Sequence, residues 1–191
     1  MASIRGMAFL GAVRYIKQTG GEELLARVVD DAGPVVAKTF AKRINGLGLQ
    51  PYRAFTDFLV AMDRVLGRGD LDYCRQFGGV AARHDLETVF KVYTVRPSPE
   101  KMIEACTAIW GMYVDGGGHM EAVDTSPQRT VLRIHEFPEM APAHCRMMEG
   151  WMIAAMDVVG VDVLPGACES ECMSRGGRFH EFVCEWSLRE G

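Results

Sequence analysis

The sequence lacks the long apolar run of a transmembrane helix, which takes about 20 residues. Its 191 residues carry 21 lysines and arginines against 25 acidic residues, a net charge of −4. The densest basic spot is the pair Lys42-Arg43, so nucleic-acid binding is not expected. The apolar stretch near the start is broken at Arg14 and has no small-residue cleavage site, unlike a signal peptide. These absences predict a cytoplasmic protein with no membrane span.

The motifs of common enzyme classes are missing as well. The sequence contains no Gly-x-Ser-x-Gly, no His-Glu-x-x-His, no Walker loop and no Gly-x-Gly-x-x-Gly after a predicted strand. Its charged residues concentrate on predicted solvent faces. We therefore expect no catalytic residues and a protein that is not an enzyme.

Apolar residues in the first half recur at helical spacing. Helices are predicted over 4–18 and 22–32, separated by Gly20-Gly21, and over 55–66. Ser98-Pro99 begins a further helix, because serine caps a helix and proline suits its first position. The N-terminal half is therefore predicted to be helical.

In the second half of the chain, the spacing of apolar residues changes from the helical repeat to the alternation of strands. Strands are predicted at 119–124, 129–136, 161–166 and 178–188, with a helix after Pro138 between the two pairs. The predicted fold is α+β: a helical N-terminal half, then ββαββ forming a mostly antiparallel sheet packed against helices. Nothing in the sequence indicates a linker, so residues 1–191 are expected to form a single domain.

Cysteine is concentrated near the end of the chain. Four of the six cysteines lie in the last 47 residues, and Cys168 and Cys172 are followed by His180 and Cys184. Without a secretion signal, such cysteines are thiols or metal ligands rather than disulfides.

The ending Cys-x3-Gly-Gly-x2-[Cys/His]-x-Phe-x3-Trp, from Cys172 to Trp186, resembles the 4-vinyl-reductase-type domain. So do a Ser-Pro-Glu helix leading to Ile109-Trp110 and Tyr113, a glycine-rich hairpin and a Cys-bearing helix. That domain belongs to a superfamily of ligand-binding domains found in nitric-oxide signalling and Golgi transport. The resemblance implies a sensor that buries a small apolar ligand, forms a homodimer and acts on a regulatory protein partner.

The resemblance also implies a structural zinc site. The family's ligand pattern falls on Cys145, Glu169, Cys172 and His180, with histidine where the family usually has cysteine. Cys168 or Glu171 is an alternative to Glu169. Zinc accepts imidazole as readily as thiolate, and four protein ligands leave no position for water. The alternative is that these side chains only fill the core.

Twelve methionines favour an adaptable apolar pocket between helix and sheet. The phenol-sensing members of the family hold their ligand with a histidine and a tryptophan, but Arg96 and Asp124 lie near the corresponding positions. A lipid-like or other apolar ligand therefore agrees better with the sequence. An ordinary core is the alternative for the pocket residues, which are Trp110, Tyr113, Met148, Trp151, Met152 and Met156.

Haem is not expected from the sequence. The haem-binding relatives use a proximal histidine on a helix and a Tyr-x-Ser-x-Arg trio, and this chain has no such trio. No histidine is predicted on the apolar face of a clear helix. His119 and His135 lie on the first hairpin, where they are candidate cross-strand neighbours.

The expected function is therefore a non-enzymatic sensor or binding module for a small apolar ligand. The first alternative is a scaffold protein that keeps the fold and binds a partner instead of a ligand, as in the Golgi-tethering branch. The second is an enzyme of unknown reaction.

Overall fold

The computed structural model describes residues 2–189 and has the predicted α+β class. The helices pack against antiparallel sheets, and most of them lie in the first 113 residues. None of the helices within 2–189 is both long and apolar enough to cross a bilayer. The helices are α1 (Gly6–Asp31), α2 (Pro34–Phe40), α3 (Tyr52–Leu66), α4 (Asp72–Glu87), α5 (Pro99–Tyr113) and α6 (Pro142–Val158).

Two antiparallel sheets organise the strands. Five strands form one sheet in the order β4-β5-β8-β6, with β7 paired to β8, and three short strands form the other in the order β2-β1-β3. The strands are β1 (Ser3–Arg5), β2 (Leu49–Pro51), β3 (Val114–Asp115), β4 (His119–Ser126), β5 (Arg129–His135), β6 (Val161–Val163), β7 (Cys168–Glu171) and β8 (His180–Leu188).

The small sheet and β7 were not predicted from the sequence. Strands of two to four residues are too short to show an alternating pattern. The strand predicted over 161–166 ends at Val163, and the chain resumes pairing with β8 at Cys168. The predicted break in the first helix is a kink inside α1, where Gly21 has a φ of +75°.

A buried carboxylate joins α3 to the start of α4. Asp63 is fully buried, and its two oxygens accept hydrogen bonds from the backbone N–H groups of Leu71 (2.8 Å) and Tyr73 (2.9 Å). These are among the unpaired donors at the first turn of a helix. The side chain of Asp70 also accepts a hydrogen bond from the N–H of Asp72. The fixed position of α4 relative to α3 depends on Asp63.

The crossing of α4 on α6 is very close, and two glycines make it possible. A Cβ added at Gly78 would lie 1.9 Å from the Met147 carbonyl oxygen, and one added at Gly150 would lie 1.9 Å from that of Arg75. Real Cβ atoms do not approach backbone oxygen so closely. The two backbones therefore touch, which places α6 directly against the helical half.

We expect Gly78→Ala and Gly150→Ala to destabilise the protein by about 3 kcal/mol, the upper end of overpacking costs, since backbone must move. Gly79→Ala is the matched control, because its Cβ would meet its nearest atom at 3.6 Å. At this position the better helix propensity of alanine should stabilise the protein by roughly 0.5–1 kcal/mol. Urea denaturation of the three variants measures the difference; equal stability of Gly78→Ala and Gly79→Ala would contradict the close crossing.

Candidate functional site

The first turn of α6 and the hairpin of β7 and β8 bring four metal-ligating side chains together: Cys145, Glu169, Cys172 and His180. A short 3-10 helix, Met173–Arg175, follows Cys172. Gly176, with a φ of +88°, then turns the chain back, and the Gly177 N–H bonds to the Cys172 carbonyl at 2.8 Å. This tight connection is why a cysteine and a histidine eight positions apart are neighbours.

The donor atoms of this cluster are spaced as around a single ion. The Cys145 and Cys172 sulfurs are 4.0 Å apart, and His180 Nδ1 lies 3.4 Å from the first and 3.5 Å from the second. A tetrahedral ion with metal–sulfur bonds of about 2.3 Å and metal–nitrogen bonds of about 2.0–2.1 Å places such pairs roughly 3.5–3.8 Å apart. Glu169 Oε1 completes the set, 3.1 Å from Nδ1. The four donors need only small shifts to surround an ion.

The second nitrogen of His180 fixes the ring for this role. Nε2 lies 3.1 Å from the Phe137 carbonyl oxygen, which only accepts, so Nε2 carries the proton. Nδ1 faces the two thiols and the Glu169 carboxylate. A metal-ligating histidine is commonly held in this way by a carbonyl behind it.

The surroundings of the cluster shift the pKa values of Cys145 and Glu169 in opposite directions. Burial raises the pKa of Cys145, and the nearby Glu169 raises it further. Burial also raises the pKa of Glu169, but hydrogen bonds from His180, Cys145 and Cys172 outweigh it and the net pKa is lowered. Arg175 binds the outer oxygen of Glu169 at 2.9 Å. A cation in the cluster would replace the thiol proton that burial otherwise retains on Cys145.

The alternatives considered for Glu169 lie outside the cluster. Cys168 is exposed and stands opposite Val183 in the sheet. Glu171 accepts a hydrogen bond from the Arg178 N–H at 2.7 Å instead of joining the four donors. His144, although adjacent to Cys145, is directed elsewhere.

A partly open apolar cavity of about 40 Å³ lies on the other side of α6. Of the predicted pocket residues, Trp110, Tyr113, Met148 and Trp151 line it. Met152 faces a smaller gap against the sheet, and Met156 is buried in the core without reaching the cavity. The sequence did not indicate the other residues as cavity lining, and these include Ile4, Ala8, Asp85, Cys106, Ile109 and His144.

His144 gives one wall of the cavity a polar atom. It is 3% exposed, its ring stacks on Trp110, and its Nδ1 lies 2.8 Å from the Tyr52 hydroxyl. Burial lowers the pKa of His144 to about 3 and raises the pKa of Tyr52. Tyr52 therefore donates to a neutral imidazole, which leaves the Nε2 proton as a donor. The expectation that no histidine lies on an apolar helix face is wrong, because α6 is buried around most of its circumference.

Asp85 gives the opposite wall a carboxyl group. The Tyr113 hydroxyl donates to it at 2.7 Å. Burial raises the pKa of Asp85, and the bonds from Tyr113 and Trp151 offset part of that rise. Burial also raises the pKa of Tyr113. The cavity is thus apolar in the middle with a neutral imidazole and a hydrogen-bonded carboxyl group at its edges.

Comparison with known proteins finds structures with the same fold, but no family model and no curated protein that match the sequence. Among solved structures, an Fe(II) unliganded H-NOX protein from K. algicida superposes with a TM-score of 0.73 at 8% identity, covering 98% of each chain. An H-NOX domain from Shewanella oneidensis in the Fe(II)CO ligation state gives 0.71 at 12% identity, over 97% of this chain and 99% of that one. The chain therefore has the fold of H-NOX proteins, while the narrower 4-vinyl-reductase assignment stays a prediction.

The expectation of zinc as the cofactor is contradicted by these comparisons. The proteins that share the fold are described in Fe(II) states, including a further S. oneidensis structure with a TM-score of 0.69 at 12% identity and 98% coverage of both chains. Thiolate, imidazole and carboxylate donors accept several first-row divalent metals. Ligand spacing in a sequence thus indicates a metal site but does not select the element.

Haem does not fit the residues described between 2 and 189. Pockets for drug-sized ligands run to roughly 300–1,000 Å³, against about 40 Å³ here. The buried helical histidine, His144, has its Nδ1 bound to Tyr52 and its face stacked on Trp110. We therefore derive no role for haem.

Asp85 should make stability fall as pH rises. Because its folded pKa is raised, its contribution is full below the unfolded pKa, about 3.9, and is lost as the pH passes through the folded pKa. The loss amounts to about 1.4 kcal/mol for each pH unit that separates the two pKa values. Arg14 and His84 are the nearby charges that oppose the rise. Asp85→Asn should flatten this part of the curve, measured by denaturation at several pH values.

The control for this experiment is Glu87→Gln, an exposed carboxylate on the same helix. It should leave the pH dependence of the parent protein unchanged. If the stability of the parent and of Asp85→Asn changed in parallel with pH, burial would not hold the proton on Asp85.

Proposed function

We propose that residues 1–191 form a single, non-enzymatic sensor module of the 4-vinyl-reductase type, which binds a small apolar ligand in the cavity beside α6. Its output would pass through homodimerisation or contact with a regulatory protein. The observation that carries the proposal is the apolar cavity lined by Trp110, His144 and Trp151. Its cytoplasmic location stays a prediction of the sequence.

The volume of the cavity and the polar groups in its lining define the class of ligand. The cavity volume of about 40 Å³ admits a molecule of few heavy atoms. The Nε2 proton of His144 is the donor available to it, since Nδ1 is bound by Tyr52. Asp85 is already bonded to Tyr113. The ligand would be a small apolar molecule with at most one hydrogen-bond acceptor.

Xenon is a suitable probe, because dry apolar cavities bind it. We expect xenon NMR to detect one saturable site in the protein. Ala8→Val, which adds two methyl groups at the cavity wall, should abolish that site. Ala108→Val changes an exposed position of α5 and should retain it. Xenon binding that is unaffected by Ala8→Val would contradict the assignment of the cavity.

We further propose that Cys145, Glu169, Cys172 and His180 bind a divalent transition-metal ion that holds α6 to the hairpin of β7 and β8. The support is the donor spacing and the carbonyl behind His180. Two thiolates, one carboxylate and a neutral imidazole give a net charge of −1 with a divalent ion, and Arg175 at Glu169 compensates it. Four protein ligands leave no open position, which favours a structural role.

Cobalt(II) tests this site, because thiolate ligation gives it a near-ultraviolet charge-transfer band. We expect that band at one equivalent per chain, together with a rise in melting temperature. Cys172→Ser should weaken the band and remove most of the rise. Cys168→Ser is the matched control, since Cys168 is exposed and outside the cluster, and should behave as the parent. Elemental analysis of the purified protein identifies the native ion; a parent protein without the cobalt band would refute the site.

The scaffold alternative is favoured by one feature of the surface. Val89, Val92 and Val95 are 59%, 71% and 71% exposed, which leaves apolar area near the start of α5. Exposed apolar patches mark interaction surfaces. Native mass spectrometry discriminates the two functions: an organic molecule retained by the chain supports the sensor, whereas a chain that retains none and fails to bind xenon supports the scaffold.

A further inference from the structure

A second group of metal-ligating side chains lies on the outer face of the large sheet, away from the buried cluster. His119 and Glu121 on β4 and His135 on β5 place one ligand atom each within 4.8 Å of one another. His119 and His135 are directly opposed across the two strands. Their rings stack at 4.9 Å with an interplanar angle of 14°. We propose that these three residues form a surface site for a divalent transition-metal ion.

The backbone brings the two imidazoles close at a position that requires glycine. Gly118, just before β4, has a φ of +64°, and a Cβ added there would lie 1.7 Å from the His135 carbonyl oxygen. The strands therefore start their pairing in direct contact at His119. The ring of His135 is also packed edge-on by Phe179 at 5.6 Å. The ring of His135 is therefore held by its surroundings, and that of His119 stacks on it.

Glu121 is available to this site because Arg133, the residue opposite it, forms its ion pair with another carboxylate. Its cross-strand neighbour is Arg133, which would ordinarily pair with it. Arg133 instead binds Glu181 at 2.7 Å and lies over the Phe179 ring at 4.2 Å. The Glu121 carboxylate turns to His135 Nε2, at 2.8 Å. An acidic ligand thus lies beside the histidine pair.

The donor set, two imidazoles and one carboxylate, selects a class of ion. Nitrogen lone pairs lie in the ring planes, so the stacked rings of His119 and His135 turn toward a shared ion on binding. Imidazole and carboxylate ligands in tetragonal geometry are preferred by nickel(II) and copper(II). Three protein ligands on an exposed face leave coordination positions open to solvent or to a further ligand.

Nickel(II) alone is the probe, because it does not oxidise thiols as copper(II) does. Calorimetric titration in the Cys172→Ser background, which lacks one thiolate of the buried cluster, should show one nickel(II) per chain at this face, with affinity reduced roughly tenfold or more when His119→Ala or His135→Ala is added. His84→Ala, a histidine on α4 away from the sheet, is the control and should bind as the parent does. The ligands are at the surface, so melting temperatures of the metal-free variants should equal that of the parent.

The readout separates this site from the buried cluster. The cobalt(II) thiolate band should be unchanged in His119→Ala and His135→Ala, and nickel(II) binding at the outer face should persist in Cys172→Ser. In the Cys172→Ser background, nickel(II) affinity that is unchanged by His119→Ala or by His135→Ala would overturn the proposal. So would the absence of nickel(II) binding in the Cys172→Ser background.

Discussion

Backbone contact between α4 and α6 is the constraint on which the rest of the structure depends. Gly78 and Gly150 each occupy a position where a side chain would overlap a carbonyl oxygen of the other helix. With α4 fixed to α3 by the buried Asp63 carboxylate, the crossing sets where α6 lies between helices and sheet. Both candidate sites of the interior are then defined by side chains that α6 carries.

One turn of α6 connects these two sites. His144 and Cys145 are consecutive, and successive helical residues point about 100° apart. His144 accordingly faces the cavity with Trp110, whereas Cys145 faces Cys172 and His180. An ion bound by Cys145 would fix the first turn of α6 against the hairpin, and the same turn positions the donor nitrogen that faces the cavity. Metal loading and ligand affinity would therefore be linked through a rigid shared element, without a separate pathway.

Sequence patterns predicted the long elements and missed features made by contact. The α+β class, the kink at Gly20-Gly21 and the cap at Ser98 follow from local signals, which periodicity and turn chemistry supply. The four cluster residues were indicated by a family pattern, and the structure brings their donor atoms together. Asp85 and the cavity role of His144 have no local signal, because their burial comes from neighbours distant in the sequence. The two- and three-residue strands of the small sheet likewise have no local signal in the sequence.

The fold alone does not determine which metal chemistry a chain supports. At 8–12% identity, the H-NOX structures share their backbone course with this chain, yet the side chains facing the interior are its own. A stacked, tyrosine-bound histidine and a cavity of about 40 Å³ leave no room for a macrocycle. The sulfur donors are instead gathered at the hairpin end of α6. The position of such a site follows from which residues bear donors and not from the topology that carries them.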